Sequence, residues 1–493
     1  MYAIRYIQEI YLQGIDMGIS LKKAAFINAI SRYTQILFNL LLTMVLARIL
    51  TPEDYGIVAV TTVFTTFFLI FSDMGISNGI IQYKTLNEQD IADIFSFTIL
   101  VGFFLGILFC IASFFIADFY DNAVYVPLGG LLAINLFAST CNIVPNALLL
   151  KDKQFLLLAK RNIIITIFIS GITVMMAFLG MKYYALVMQS LFSSLVLFIY
   201  NYITAHNKYS LYVSKKIKFD GVRKIFSYSI YQFLFCIIGY FSRNLDNLLI
   251  GRVWGAAYLG FYDKAYRLMC YPIGSLTNVI TPVLQPILSE YQDNKSYIYE
   301  TYVRMVKFLS LIGVIVTAVF HFMADEVVYI LFGAQWIETV IYLKWLSLSV
   351  WAQIVLGTTG SIFQSAGDTK HLFFTGCVTT IMTVSAIIVG ILSGSLENVA
   401  RNVMISYNVQ FFFVMYMLIK VTLKHSYIEF IVKFLPEVVI GVVIFLGMMF
   451  SNMLEDNLTS VQYSLLKLAV IIIMFFIMAK SLGQFKYINI IRK

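Results

Sequence analysis

The chain has 493 residues, of which 60% are apolar and only 12% are charged. Soluble domains carry about twice that share of charged residues, so the composition excludes a large soluble domain and indicates a polytopic membrane protein. Apolar runs of about two dozen residues also exclude an outer-membrane barrel, whose strands show short alternating patterns.

The apolar runs predict an all-α membrane protein with about 14 transmembrane helices. Each run is close to the length needed for a helical crossing, which is about 20 residues. The runs 256–288 and 334–364 exceed one straight crossing, and the prolines of the first (Pro272, Pro282 and Pro286) should kink or break it. The predicted spans are 24–47, 55–80, 94–117, 123–148, 162–180, 183–204, 225–250, 256–288, 303–323, 334–364, 371–392, 398–419, 430–450 and 461–479.

Charge asymmetry predicts the orientation of these helices. With the N-terminus in the cytoplasm, nearly all loop cations fall inside, and few fall outside. Both termini are therefore predicted to be cytoplasmic, and the excess of 35 Lys and Arg over 26 Asp and Glu reflects membrane topology, with no nucleic-acid partner. The outside loop cations in this arrangement are Arg48, Lys182, Arg252 and Arg401.

A short internal repeat predicts two lobes. Ala47-Arg48-Ile49 with Gly56 eight residues after the arginine recurs as Gly251-Arg252-Val253 with Gly260, at the ends of predicted helices 1 and 7. A weaker match pairs Asp152 with Asp368, after helices 4 and 10. A parallel repeat of six helices is typical of transporters whose two halves rock around a central site.

The domain organisation follows from this repeat and from the longest polar stretch, which is cationic. Helices 13 and 14 lie outside the repeat. The predicted divisions are a peripheral N-terminal segment (1–23), a first lobe (24–204), a cationic cytoplasmic linker (205–224), a second lobe (225–424), and helices 13 and 14 with a cytoplasmic tail (425–493).

Several strings resemble the signatures of the Wzx-type oligosaccharide flippases of the multidrug/oligosaccharidyl-lipid/polysaccharide exporter superfamily. The residues from Leu46 to Gly56 (Leu-Ala-Arg-Ile-Leu-Thr-Pro-Glu-Asp-Tyr-Gly) are similar to the first-loop signature, which Asp73-Met74-Gly75 continues. The run from Asn244 to Arg252, with Leu259-Gly260-Phe261-Tyr262, is similar to the second-half signature. The resemblance covers roughly residues 20–480.

This resemblance implies a fold and a function. Two six-helix bundles should form a V-shaped cavity. The protein should flip an undecaprenyl-diphosphate-linked oligosaccharide from the cytoplasmic to the outer leaflet by alternating access, for export of a surface polysaccharide. It should therefore be a multi-pass protein of the bacterial cytoplasmic (inner) membrane. Its partners should be the polyprenyl-diphosphate-linked glycan and membrane lipid, together with a polysaccharide polymerase and glycosyltransferases.

Ionisable residues inside predicted helices are the candidate functional residues, because charge is costly in a bilayer. Arg32 lies about 12 Å inside the cytoplasmic face at 1.5 Å per residue, and Asp73 lies at a similar depth on the second helix. Two interpretations stay open. Either the two side chains form an interhelical ion pair, or Arg32 is a phosphate ligand with Asp73 as a gating residue.

Predicted helices 7 and 8 carry further candidates. Arg243, Asp246 and Asn247 are spaced so that they share one face of helix 7. Arginine suits a diphosphate because its planar guanidinium binds two oxygens at once. We therefore predict Arg243 and Asn247 as substrate ligands and Asp246 as a gating or ion-coupling residue, although paired structural charges would give the same pattern.

Asp263 and Lys264 lie four and three residues before Arg267, so the three are predicted to share one face of helix 8. Lys264 and Arg267 are predicted substrate ligands, and Asp263 is a predicted gating or ion-coupling residue. Together with Arg243 and Asp246, they leave a surplus positive charge that matches an anionic lipid headgroup. A desolvated carboxylate here would also suit coupling to a proton or sodium gradient.

Two other functions remain as alternatives. A drug or cation exporter of the same superfamily should have an acidic, aromatic cavity, which the cation surplus disfavours. A membrane glycan polymerase or ligase should carry catalytic residues in a large outer loop, whereas the predicted outer loops are short, so no enzyme activity is predicted. The five cysteines and four histidines lack metal-ligand spacing, and no P-loop occurs, so neither metal nor cofactor is predicted.

Overall fold

The computed structural model describes residues 21–83, 86–152, 154–214, 237, 240, 244–452 and 460–484. Every regular element in these ranges is helical, as the apolar runs predict. Up to residue 254 the helices are α1 (Leu21–Ile49), α2 (Pro52–Asp73), α3 (Ile76–Gln82), α4 (Glu88–Phe119), α5 (Tyr125–Cys141), α6 (Ile143–Lys151), α7 (Phe155–Phe178), α8 (Tyr183–Tyr209) and α9 (described over 244–254).

The remaining helices follow without a strand in the described chain. A 3₁₀ turn (Ala334–Trp336) precedes α13, and a π-helical turn (Met417–Thr422) ends α16. The helices are α10 (Ala256–Ser289), α11 (Lys295–Phe322), α12 (Ala324–Phe332), α13 (Thr339–Ser347), α14 (Val350–Ser365), α15 (Thr369–Leu392), α16 (Leu396–Tyr416), α17 (Tyr427–Asn452) and α18 (Ser460–Ser481).

The predicted spans fall on these helices, except that 225–250 lies largely outside the described residues. One detail of the prediction was wrong. The prolines of the 256–288 run do not break it, since α10 is one continuous helix of 34 residues. The 334–364 run forms two helices, α13 and α14, which are bent by 58° at their junction, so it is either a broken span or a re-entrant pair.

Ten described helices are long and apolar enough to cross a membrane, or up to eleven if the bent pair is one span. The predicted number of 14 is therefore not confirmed. Exposed surface supports membrane embedding, because α4 presents a continuous face of large apolar side chains, including Phe104 and Phe115 at 66% and 72% exposure. Such a face in water would be an exceptional apolar patch, whereas in a bilayer it contacts lipid.

The described chain divides into two compact units, one within Asp16–Gly260 and the other within Phe261–Lys493. Below, the first unit and the second unit mean the described parts of these two ranges. Residues 215–224 of the predicted linker lie outside the described chain, so the predicted lobe boundaries stay predictions.

Capping explains part of the first-loop string. Thr51 Oγ1 accepts from the Asp54 amide, and Asp54 Oδ2 accepts from the Thr51 amide at 2.9 Å, with Pro52 at the first helical position. This reciprocal capping box satisfies two backbone donors at the start of α2. The other carboxylate oxygen of Asp54 accepts from the Tyr183 amide at 3.2 Å, which joins the start of α8 to the same loop.

The repeated glycines of the two strings pack reciprocally within the first unit. A Cβ at Gly56 would collide with the backbone of Ala256, and a Cβ at Gly260 would collide with the backbone of Pro52. Each glycine therefore lies against the first turn of the helix that carries the other. Glycine permits this close backbone approach because it has no side chain, which gives the repeated positions a structural reason.

The weaker repeat between Asp152 and Asp368 also has a structural counterpart. Asp152 accepts hydrogen bonds from Lys208 and Tyr209 at the end of α8. Asp368 accepts from Thr422 Oγ1 at 2.7 Å, at the π-helical end of α16. In each half, the aspartate that follows the fourth helix of the repeat thus holds the end of the sixth.

The interior of the second unit contains a buried ion pair. Lys307 Nζ on α11 lies 3.4 Å from Glu437 Oε1 on α17, and also 3.4 Å from Gln484 Oε1 after α18. The two charged side chains are 6% and 0% exposed. This pair joins the helices predicted to lie outside the repeat to the rest of the second unit.

Candidate functional site

Helix α10 carries a polar stripe along one face. Its members, spaced by four or seven residues, are Arg267, Tyr271, Asn278, Gln285 and Ser289. Positions with this spacing lie on one side of a helix. The stripe is about 33 Å long at 1.5 Å per residue, which is about the thickness of the hydrocarbon core of a bilayer.

The opposite side of α10 packs inside the second unit. Tyr262 lies 6.3 Å from the Tyr342 ring of α13. Thr277 contacts the position of Gly357 on α14, and the Gln353 amide lies 3.1 Å from Met269 Sδ. These contacts hold the helix so that the stripe is its exposed face.

Arg267 is the charged end of the polar stripe. Its side chain is 53% exposed, and its Nε donates to Asp263 Oδ2 at 2.6 Å, one helical turn earlier. Asp263 is 5% exposed. The buried carboxylate therefore orients the guanidinium through Nε, and the two terminal nitrogens of Arg267 make no hydrogen bond with any described residue.

Lys264 lies in a different environment from Arg267. Its side chain is buried, with Nζ 5.4 Å from the Phe332 ring centre and 5.6 Å from that of Trp336. Aromatic faces attract a cation at such distances. In this conformation Lys264 points toward α12 and the 3₁₀ turn rather than along the stripe, and its role as a substrate ligand stays a prediction.

The predicted residues of the first unit are described only in part. Arg32 lies on α1, but its side chain is outside the described structure, and so is Arg243. Asp73 caps the next helix by accepting from the Ser77 amide at 3.1 Å. Its gating role, and the pairing of Arg32 with Asp73, therefore stay predictions.

Asp246 and Asn247 lie on α9, in the first unit. Asp246 is buried, and its Oδ1 accepts from the Asn247 amide at 2.9 Å. The side-chain oxygen of Asn247 is buried without a hydrogen-bond partner in the described chain. Because the α10 residues from 261 onward belong to the second unit, the structure describes the two sets separately, and their predicted convergence is not tested.

Sequence reasoning from charge alone missed the uncharged members of the stripe. Asn278 and Gln285 are exposed, and their side-chain amides form no hydrogen bond with any described residue. The oxygen of Thr281, between them, is likewise unpartnered. A helical projection of the 256–288 run would have found these residues, since apolar side chains occupy the opposite side.

The arrangement combines an exposed guanidinium with a line of uncharged hydrogen-bonding groups. It suits an anion at one end and a hydroxyl-rich molecule along the rest, since guanidinium binds phosphate oxygens bidentately. No group of three or more His, Cys, Asp or Glu that would hold a metal ion occurs among the described residues.

Comparison with known proteins gives related chains and a related fold. A family model described as "Polysaccharide biosynthesis protein" matches residues 45–341. The chain is 25% identical to the teichuronic acid biosynthesis protein TuaB of Bacillus subtilis (strain 168) over 339 residues, covering 68% of this chain and 69% of that one. It is 26% identical to the lipopolysaccharide biosynthesis protein WzxC of Escherichia coli (strain K12) over 361 residues, covering 70% of each.

Among solved structures, the fold is similar to that of the lipid II flippase MurJ in an inward closed conformation. The TM-score is 0.75, the identity is 14%, and the match covers 93% of this chain and 99% of that one. At this identity the likeness shows the fold alone.

Proposed function

Because the chain belongs to the polysaccharide biosynthesis protein family, whose model matches residues 45–341, we propose that it flips a polyprenyl-diphosphate-linked oligosaccharide across the bacterial cytoplasmic membrane by alternating access. Family and fold point to a transporter and not to an enzyme. The names of TuaB and WzxC connect relatives to surface polysaccharide synthesis, and a lipid-linked glycan is the form in which such a polymer's precursor is held in a membrane.

The single observation that carries the proposal is the exposed Arg267 at the head of the polar stripe. A polar face directed at lipid would be costly, so the stripe is suited to a water-filled cavity. Two terminal nitrogens of Arg267 are free to bind phosphate oxygens, and charge-assisted hydrogen bonds of this kind contribute about 1.5–3 kcal/mol. The uncharged remainder of the stripe suits sugar hydroxyl groups.

The two repeated strings meet within the first unit. Gly56 and Gly260 let two helix ends approach through their backbones, and Arg252 pairs with Asp121 at 3.0 Å beside them. We propose that this contact lies at the outer face of the membrane, with both termini in the cytoplasm as the loop cations predict.

The other candidate residues keep the roles that the sequence predicts for them. Arg32, Arg243, Asn247 and Lys264 are proposed as further substrate ligands, and Asp73, Asp246 and Asp263 as gating or ion-coupling residues, as their positions in the sequence predict. A polysaccharide polymerase and glycosyltransferases are proposed as functional partners, because they would consume and supply the glycolipid. A drug exporter is not favoured, since the exposed charge of the stripe is a cation.

The test is transport of a fluorescent polyprenyl-diphosphate oligosaccharide by purified protein in liposomes. Replacing Arg267 with glutamine should lower the initial rate at least about tenfold, since 1.4 kcal/mol corresponds to a factor of ten. The matched control is Arg304→Gln, because Arg304 also pairs with an acid one turn earlier, Glu300 at 3.9 Å, and is 63% exposed, but lies off the stripe.

The control variant should keep the wild-type rate. Equal transport by the Arg267→Gln and Arg304→Gln variants would remove the stripe from the translocation path. Absence of transport by the wild-type protein, with the glycolipid intact in the liposomes, would contradict the proposed function itself.

A further inference from the structure

The part of the polar stripe beyond Arg267 differs from its head in chemistry. Between Arg267 and the end of α10 at Ser289, no residue of the helix is charged. The exposed polar side chains there are the amides of Asn278 and Gln285 and the hydroxyl of Ser289. This part of the stripe therefore lacks any charge that would select a charged ligand.

Distances along the helix separate these groups from the arginine. At 1.5 Å per residue, Asn278 lies about 16 Å from Arg267, and Gln285 lies about 10 Å further on. A phosphate bound at Arg267 cannot reach either amide. Whatever contacts Asn278 and Gln285 must be a different part of the ligand, attached to the anionic group and extended along the helix.

The amides are open to such a ligand. Neither side-chain amide forms a hydrogen bond with a described residue, whereas the backbone oxygen of Gln285 is already used by Ser289 and by Ser365. A side-chain amide offers two donors and one acceptor oxygen, which matches the paired donor and acceptor character of sugar hydroxyls. A hydrocarbon chain would leave these groups unsatisfied at a cost.

We propose that Asn278, Gln285 and Ser289 form a glycan-recognition site for uncharged sugars, in line with a diphosphate site at Arg267. The inference rests on the proposed function and deepens it by naming the glycan class and the residues that bind it. The diphosphate end of the glycolipid lies at the head of the stripe, and its neutral sugars extend toward Ser289.

The experiment compares binding of two synthetic lipids to purified protein by microscale thermophoresis. One is bare undecaprenyl diphosphate, and the other carries a neutral tetrasaccharide. The wild-type protein should bind the tetrasaccharide lipid at least about tenfold more tightly. The Asn278→Leu/Gln285→Leu double variant should lose that difference while keeping its affinity for the bare lipid, whereas Arg267→Gln should weaken binding of both lipids.

Asn207→Leu is the matched control, because Asn207 is an exposed amide on α8 outside the stripe. This variant should bind both lipids as the wild type does. Equal affinity of the wild-type protein for the two lipids, or an unchanged preference in the double variant, would overturn the glycan site while leaving the proposed function standing. Failure of the wild type to bind either lipid would instead count against the proposed function.

If the double variant loses binding to both lipids, the single variants Asn278→Ala and Gln285→Ala are measured in the same way. Each keeps the helix and removes one amide. Weaker affinity for the tetrasaccharide lipid alone in these variants supports the glycan site. An equal loss of affinity for both lipids overturns it.

Discussion

Helices α4 and α10 are similar in length, with 32 and 34 residues, but their exposed faces differ in chemistry. Between Leu100 and Phe115, the exposed side of α4 consists of phenylalanine, leucine and isoleucine side chains. The exposed side of α10 presents Arg267, Asn278, Gln285 and Ser289. Exposure alone therefore does not identify a lipid-facing helix.

The difference follows from the cost of desolvating polar groups. A side-chain amide or guanidinium facing hydrocarbon loses its hydrogen bonds to water, whereas a phenylalanine facing hydrocarbon loses nothing. The α4 face is thus suited to lipid, and the α10 stripe to water or a polar ligand. A third environment, the protein interior, accepts charge only when the charge is paired. Each contrast can be tested by substitution.

The largest effect is expected in the interior, at the buried pair of Lys307 and Glu437. Replacing Lys307 with methionine leaves a buried carboxylate without its cation, and breaking such a pair costs about 3–5 kcal/mol. The free energy of unfolding in a denaturant titration should fall by that amount. The double change Lys307→Met/Glu437→Leu should recover much of it, because an apolar pair of similar volume avoids the uncompensated charge.

The matched control for this prediction lies on α17, the helix that carries Glu437. Lys433 pairs with Glu429 at 2.6 Å, and the two side chains are 42% and 53% exposed. Exposed pairs contribute about 0–1 kcal/mol, so Lys433→Met should change the free energy of unfolding by no more than this. If Lys307→Met and Lys433→Met had the same effect, burial would not be what makes the interior pair matter.

A smaller effect is expected when charge is placed on the lipid-facing side of α4. Phe104 is 66% exposed and lies at the middle of the helix. An arginine at the centre of a membrane helix costs about 2.5–3.5 kcal/mol in insertion. Phe104→Arg should therefore reduce insertion in a translocation assay, whereas Asn278→Arg on α10 should reduce it less. Equal losses would contradict the division of the two faces.

The sequence predicts the helices well because apolar run length is a local property. The search for ionisable residues in the predicted helices also identified Arg267 and Asp263. The same reasoning grouped Lys264 with Arg267, whereas the structure buries Lys264 against Phe332 and Trp336. Spacing assigns residues to a side of a helix but does not reveal which neighbouring side chains will fill the space there.

The uncharged half of the stripe and the bent 334–364 run were not predicted. Asn278 and Gln285 carry no charge, so a search for costly ions passes over them. The bend of 58° depends on how α13 and α14 pack, and the run contains no proline from which a bend could be predicted. The reciprocal contacts of Gly56 and Gly260 required coordinates, although the repeat had marked both positions.

A further prediction tests whether close backbone packing distinguishes the start of α10 from exposed helical surface. A Cβ at Gly260 would collide with the Pro52 backbone, whereas a Cβ at Gly376 on α15 would meet nothing within 4 Å. Overpacking typically costs about 1–3 kcal/mol. Gly260→Val should lower the thermal unfolding midpoint, and Gly376→Val should leave the midpoint close to that of the wild type, because exposed substitutions change the free energy of unfolding by no more than about 0.5 kcal/mol. Equal midpoints in the two variants would show that the contact is not tight.

The smallest effect on stability is expected at the C-terminal end of α8, where the charged side chains are exposed. The hydrogen bonds from Lys208 and Tyr209 hold the pKa of Asp152 below its ordinary value of 3.8. A depressed carboxylate pKa stabilises the fold above the unfolded pKa, and that contribution is lost as the pH falls through the folded pKa. Both Asp152 and Lys208 are nearly half exposed, so the contribution should be below about 1 kcal/mol. Asp152→Asn should therefore reduce the loss of stability between pH 5 and pH 3 by that small amount, measured by thermal unfolding. A larger acid-induced loss in the variant than in the wild type would show that the carboxylate does not hold the end of α8.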